Sequence, residues 1–162
     1  MPVTPFHFGV GVLLKGAAPG RSSLLAFVVS QVVIDLETAF FLFRREWPVH
    51  RALHSFALAI PVGLATGLLV WTAGRLTVRP ALRGSAEWGL LPALVGGGLG
   101  GATHPLLDAV MHDDIQPLRP FSTANPLHLA VGVATLHVLC LAAGVLGAML
   151  WWMRARARQP PV

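Results

Sequence analysis

The residues that could do chemistry here sit where solvent is scarce. Asp35 and Glu37 lie past the middle of an apolar run, Ser22–Phe43. His54 lies one turn into a second run, Ala52–Gly74, with His50 one turn earlier at its mouth. His104 and Asp108 lie deep in a third, Trp88–Met111, which His112 follows. An ionised carboxylate at the centre of a bilayer costs about 2.5–3.5 kcal/mol on insertion scales, so such groups are expected to be partnered and functional. Spacing decides which can meet. On helices, His50 and His54 share a face at i, i+4. His104, Asp108 and His112 share another at i, i+4, i+8, while Gln31, Asp35 and Thr38 form a polar stripe. Imidazoles mixed with carboxylates suit Zn²⁺, Mn²⁺ or Fe²⁺, and lack the thiolates that soft metals prefer.

The candidate metal ligands are therefore His7, Asp35, His54, His104 and Asp108, for one or two divalent ions. His7 joins them only if the short stretch around it enters as a half-helix from the same side, with its start opposite Lys15. His50 is a candidate ligand or general acid–base, since an imidazole titrates near 6.5. Arg51, with Arg44 or Arg45, could clamp an anionic head group. Glu37 lies roughly 200° around the helix from Asp35, so it is expected to pair with an arginine or serve a second ion. His112, Asp113 and Asp114 read as solvated loop residues. His128 and His137 read as structural, His137 through a helix-to-helix hydrogen bond.

The elements that must position these residues follow from composition. Of 162 residues, 54% are hydrophobic and 12% charged, about half the charge of a soluble domain. That excludes an ordinary soluble globule, a disordered chain and a disulfide-stapled module. The reading is an all-α, polytopic membrane bundle. A span needs about 20 apolar residues, and four windows qualify: the three above and Leu127–Met153. Val3–Leu14 is too short to cross and is expected to be an N-terminal half-helix. One domain, 1–153, is followed by a basic, Pro-rich tail, 154–162. Gly63/Gly67, Gly96/Gly100 and Gly97/Gly101 have the small-x-x-x-small spacing of tightly packed membrane helices.

Charge gives partners and orientation. The net charge is +5, but the arginines fall in short gaps between apolar runs rather than on a basic face, so no nucleic-acid partner is expected. Counting by loop, Lys15, Arg21, Arg75, Arg79, Arg83, Arg154, Arg156 and Arg158 share one side, and Arg44, Arg45, Arg51 and Arg119 the other. The larger set, with the C-terminus, is expected in the cytoplasm. The single cysteine, Cys140, is inside an apolar run and reads as packing. No cleavable leader is read at the N-terminus.

At these residues the chain resembles the bacterial membrane-bound metal-dependent hydrolase family, small inner-membrane proteins. The resemblance runs from about residue 4 to 121. It rests on Thr4-x-x-His7, the acidic pair Asp35 and Glu37, His50-Arg51-x-x-His54-Ser55, and Gly101-x-x-His104 followed by Leu107-Asp108. Pro120-Phe121 also matches. The family's frequent Pro-Asp-x-Asp is Ile34-Asp35-Leu36-Glu37 here. The resemblance implies a metal-dependent hydrolase in the bacterial inner membrane.

The function expected is metal-assisted hydrolysis at the membrane–water interface, with His50, Asp35 and Arg51 as catalytic candidates. Location suggests an amphiphilic or lipid-linked ester or phosphoester, and membrane lipids as partners. The alternatives are a small ion or proton relay and a metal-stabilised scaffold without turnover. A relay needs polar groups reaching both faces, whereas Leu64–Trp71 and Leu90–Leu99 contain only Thr66 as a polar side chain.

Overall fold

The apolar runs become helices in a computed structural model, which describes residues 5–157. Thr4 and the tail 158–162 lie outside the described residues. Among the described residues there are five α-helices: α1 Phe8–Ala17, α2 Leu24–Phe43, α3 Phe56–Thr77, α4 Leu90–Met111 and α5 Val133–Ala157. No strand occurs among the described residues. Helices α2, α3 and α5 are long and apolar enough to cross a membrane. Helix α4 matches α3 in length at 22 residues, but it is rich in glycine and packs deep inside the bundle.

The outward faces are apolar. Phe43 is 90% exposed, Leu76 79% and Leu91 70%. A surface this rich in bare aliphatic and aromatic groups belongs against lipid rather than water.

Helix α4 is central because its glycines let neighbours touch its backbone. A Cβ added at Gly97 would run into the carbonyl oxygen of Gly63 on α3, and one at Gly101 into that of Ala59. On its other side, Gly96 meets the Ser23 carbonyl and Gly100 the Ser30 hydroxyl of α2. With no hydrophobic driving force between helices in lipid, such close approach supplies dispersion contact instead.

Helix α1 is the half-helix. Its ten residues rise about 15 Å, so it cannot cross alone. It lies along α5, with Gly9 against the Cys140 carbonyl and Gly16 against Gly147. Its far end is pinned by buried Lys15, which pairs with Glu87 and donates to the Ser22 carbonyl. Arg154 of α5 donates to the Gly16 carbonyl. The start of α1 therefore lies at the opposite end from Lys15, and a short 3₁₀ turn there, Pro5–His7, carries buried His7.

Three boundaries differ from the sequence reading. Helix α3 begins at Phe56, because residues 52–54 form a 3₁₀ turn and Ser55 is extended. Helix α5 begins at Val133 rather than Leu127. The cause is Asn125, whose amide donates to the Ala109 and His112 carbonyls at the end of α4, at 2.9 and 3.1 Å. Leu129, at φ 54°, then donates to the Val110 carbonyl, holding this stretch across the end of α4. Finally, residues 154–157, with Arg154 and Arg156, extend α5, so the part of the expected tail that is described is helical.

Candidate metal centre

Four side chains from three segments converge. Asp35 comes from α2, His54 from the turn before α3, and His104 and Asp108 from consecutive turns of α4. His104 Nε2 lies 3.1 Å from Asp108 Oδ2 and 3.3 Å from Asp35 Oδ1. His54 Nε2 lies 3.3 Å from His104 Nε2, 3.7 Å from Asp108 Oδ2 and 4.0 Å from Asp35 Oδ1. Donors bound at 2.0–2.2 Å around a tetrahedral ion stand about 3.3–3.6 Å apart. The observed spacings bracket that range. His54, His104 and Asp108 are buried, and Asp35 nearly so.

The outer hydrogen bonds say which nitrogens face inward. The Thr103 hydroxyl donates to the Leu99 carbonyl, leaving its oxygen to accept from Gln31 Nε2 at 3.2 Å. Gln31 Oε1 is thereby turned to accept from His104 Nδ1. Similarly, His54 Nδ1 donates to Glu37 Oε2 at 3.3 Å. With both Nδ1 atoms carrying protons, both Nε2 atoms present lone pairs to the same point. Two lone pairs and two carboxylates gathered out of water repel one another unless a cation lies between them. Ligand imidazoles held from behind by a carboxylate or carbonyl are the usual architecture of metal centres. The residues present fit a divalent ion.

His7 reaches the same depth, and the half-helix enters from the side that makes this possible. Its Nε2 lies 3.2 Å from Asp108 Oδ1, and its ring stands edge-on to His104 at 5.3 Å. Thr38, from the stripe on α2, places its hydroxyl 3.3 Å from His54 Nε2.

Glu37 has a role the sequence did not disclose. Among the described residues it pairs with no arginine guanidinium. Besides His54, its carboxylate accepts the backbone N–H groups of Arg51 at 3.1 Å and Leu53 at 3.0 Å. It thus fastens the 3₁₀ turn that carries His54. Helical geometry had put Glu37 and Asp35 on opposed sides, and they do stand apart: Asp35 faces the Nε2 edge of the ring and Glu37 the Nδ1 edge.

His50 and His54 do not share a helical face, since neither lies in an α-helix. The turn still brings their rings to 4.7 Å. His50 Nδ1 donates to Asp114 Oδ1 at 2.8 Å, and Asp114 Oδ2 accepts the Val49 and His50 amides. The His112 ring lies 4.4 Å from that of His50. His50, His112 and Asp114 thus form a second group at the mouth, where solvated loop residues had been expected. Burial lowers the basicity of His50, and neighbouring His54 adds to the effect, outweighing Asp114.

The remaining candidates sit elsewhere. The Arg51 guanidinium stacks 3.5 Å over the Phe41 ring and donates to the Pro48 carbonyl and Glu46. Arg44 also pairs with Glu46. His137 stacks on Phe6 at 4.3 Å, so an aromatic contact takes the place of the expected hydrogen bond. Two apolar grooves, of about 420 and 390 Å³, flank Arg119 beside the His54 turn; Phe56 and Pro117 line one, Ala52 and Ser55 the other.

No family model, no curated protein and no solved structure matches the chain.

Proposed function

We propose that this protein is a metal-dependent hydrolase of the bacterial inner membrane, built on four spans, α2 to α5, with its C-terminus cytoplasmic. The observation that carries the reading is the buried quartet of Asp35, His54, His104 and Asp108, with both imidazole Nε2 atoms turned inward. A divalent ion held there (Zn²⁺, Mn²⁺ or Fe²⁺) would lower the pKa of bound water toward about 7 and polarise a carbonyl or phosphoryl oxygen.

The chain's own groups complete the chemistry. His50, its Nδ1 held by Asp114, keeps Nε2 free to take or give a proton. Asp35 is the least buried of the quartet and the one best placed to meet incoming substrate. Arg51 keeps its guanidinium a third exposed at the rim, where an anionic head group would arrive. The apolar grooves beside Arg119 suit the chain of an amphiphilic or lipid-linked ester or phosphoester. A relay is less well supported, because the Thr66 hydroxyl is engaged by the Val62 carbonyl and offers no path toward the far side.

The test is metal analysis of detergent-purified protein, with hydrolysis assays on phosphoester, carboxyl ester and amide panels. Stoichiometric metal and turnover, both lost in a His54→Ala/Asp108→Ala double variant, are expected. Absence of bound metal, or unchanged content in the double variant, defeats the reading.

A further inference from the structure

We infer that a second divalent ion binds beside the first, between His7 and Asp108, with the Asp108 carboxylate bridging the two. The inference rests on the hydrolytic centre described above and adds a second ion to it.

The two oxygens of Asp108 face different ways. Oδ2 points into the quartet, 3.1 Å from His104 Nε2. Oδ1 points to His7 Nε2 at 3.2 Å. Both Oδ1 and His7 Nε2 are buried, and neither has a hydrogen-bond partner among the described residues. Close as they are, the two are misaligned for a hydrogen bond with each other. Buried polar atoms are nearly always satisfied, so two orphans facing one another at a ligand-to-ligand distance call for a shared partner. A cation satisfies both, with His7 in the tautomer that leaves a lone pair on Nε2. Paired-metal hydrolytic centres hold their ions about 3.5–4 Å apart, and a carboxylate giving one oxygen to each ion fits that spacing.

The half-helix gains a purpose from this. Helix α1 adds no crossing of the membrane, yet it is packed by glycine against α5 and anchored at its far end by Lys15 and Glu87. What it delivers is His7, at the depth of Asp108.

Chelator-stripped full-length protein in detergent is titrated with Zn²⁺, and a parallel sample is loaded with Mn²⁺ for electron paramagnetic resonance. Two Zn²⁺ per chain and an exchange-coupled Mn²⁺ pair are expected. His7→Ala should bind one Zn²⁺ and show uncoupled Mn²⁺. A single Zn²⁺, lost in His104→Ala but untouched by His7→Ala, overturns the second ion and leaves the first centre standing. Two ions in both wild type and His7→Ala overturn the assignment and move the second ion to the His50–His112–Asp114 group. No bound metal overturns this inference together with the hydrolytic reading. Should His7→Ala fail to fold by circular dichroism, the wild-type Mn²⁺ spectrum decides: a coupled pair supports the bridge, and an isolated ion overturns it.

Discussion

Glu37 Oε2 stands 3.3 Å from His54 Nδ1 and Asp35 Oδ1 4.0 Å from its Nε2, so one imidazole lies between acids two residues apart on the same helix. Asp35 faces the ring's inner edge and Glu37 its outer edge. The outer contact does two things at once: it fixes the tautomer and, through the Arg51 and Leu53 amides, it fixes the turn.

Glu37→Gln tests that contact. Glutamine keeps the shape but removes the charge, and outer partners of metal ligands typically account for 10–100-fold in affinity. Zn²⁺ affinity, measured against a competing chelator, should fall by about 10-fold, with helical content unchanged. Glu37→Ala, which also frees the turn, should lose more. Equal affinity in all three proteins would mean that Glu37 does not act through His54.

Gln31→Leu makes the same test from the other side. Gln31 Oε1 accepts from His104 Nδ1, and leucine is of similar size. His104 would then lose the acceptor that keeps its proton on Nδ1, and the form with the proton on Nε2 would compete with the ion. Affinity for Zn²⁺ should again drop within about 10–100-fold. A variant with wild-type affinity would show that packing alone orients His104.

How much of this was readable in the sequence depends on the residue. Asp35, His104 and Asp108 were legible because charge inside an apolar run has few explanations, and helical spacing then aligns them. The small-residue stripes of α3 and α4 were legible for the same reason of period. Glu37 was not, because its partner ring lies in a 3₁₀ turn that no helical wheel describes. The group at the mouth was hidden too. His50 and Asp114 are 64 residues apart and are joined by loops, whose paths leave no periodic trace. The start of α5 was misplaced because Leu127–Val133 is apolar enough for a span, and only the Asn125 hydrogen bonds divert it.

Gly97→Ala and Gly98→Ala form a matched pair on α4. A methyl at Gly97 meets backbone, the Gly63 carbonyl and the Gly67 amide, and backbone on a packed helix cannot yield without separating α3 from α4. A methyl at Gly98 meets only the side chain of Leu64, at 3.0 and 3.5 Å, which can rotate. Overpacking costs typically 1–3 kcal/mol, so Gly97→Ala should lower the thermal midpoint in detergent by several degrees. It should also weaken metal binding, because α4 carries two ligands. Gly98→Ala should stay near wild type in both. Identical behaviour of the two variants would count against backbone contact as the basis of the α3–α4 pair.

The far end of the bundle gives a pH prediction that is independent of metal. Burial alone would raise the Glu87 carboxyl, but Lys15, the Leu25 amide and the Ser23 hydroxyl all donate to it and hold it below the usual carboxylate range. Because the folded value is depressed, Glu87 contributes stability that is fully present above its unfolded value, about 4.3. That contribution drains away as pH falls through the unfolded and then the folded value. Glu87→Gln should therefore lower the thermal midpoint at pH 6.5, and the gap to wild type should hold down to about pH 5 and narrow below it, as pH falls through the unfolded and then the folded value. Lys15→Met should narrow it further, since the cation that holds Glu87 down is removed while the buried stem is kept. A gap that stays constant as pH falls below the unfolded carboxylate value would mean that the Lys15–Glu87 contact does not hold the end of α1 in place. The half-helix would then depend on its glycine seam with α5 alone.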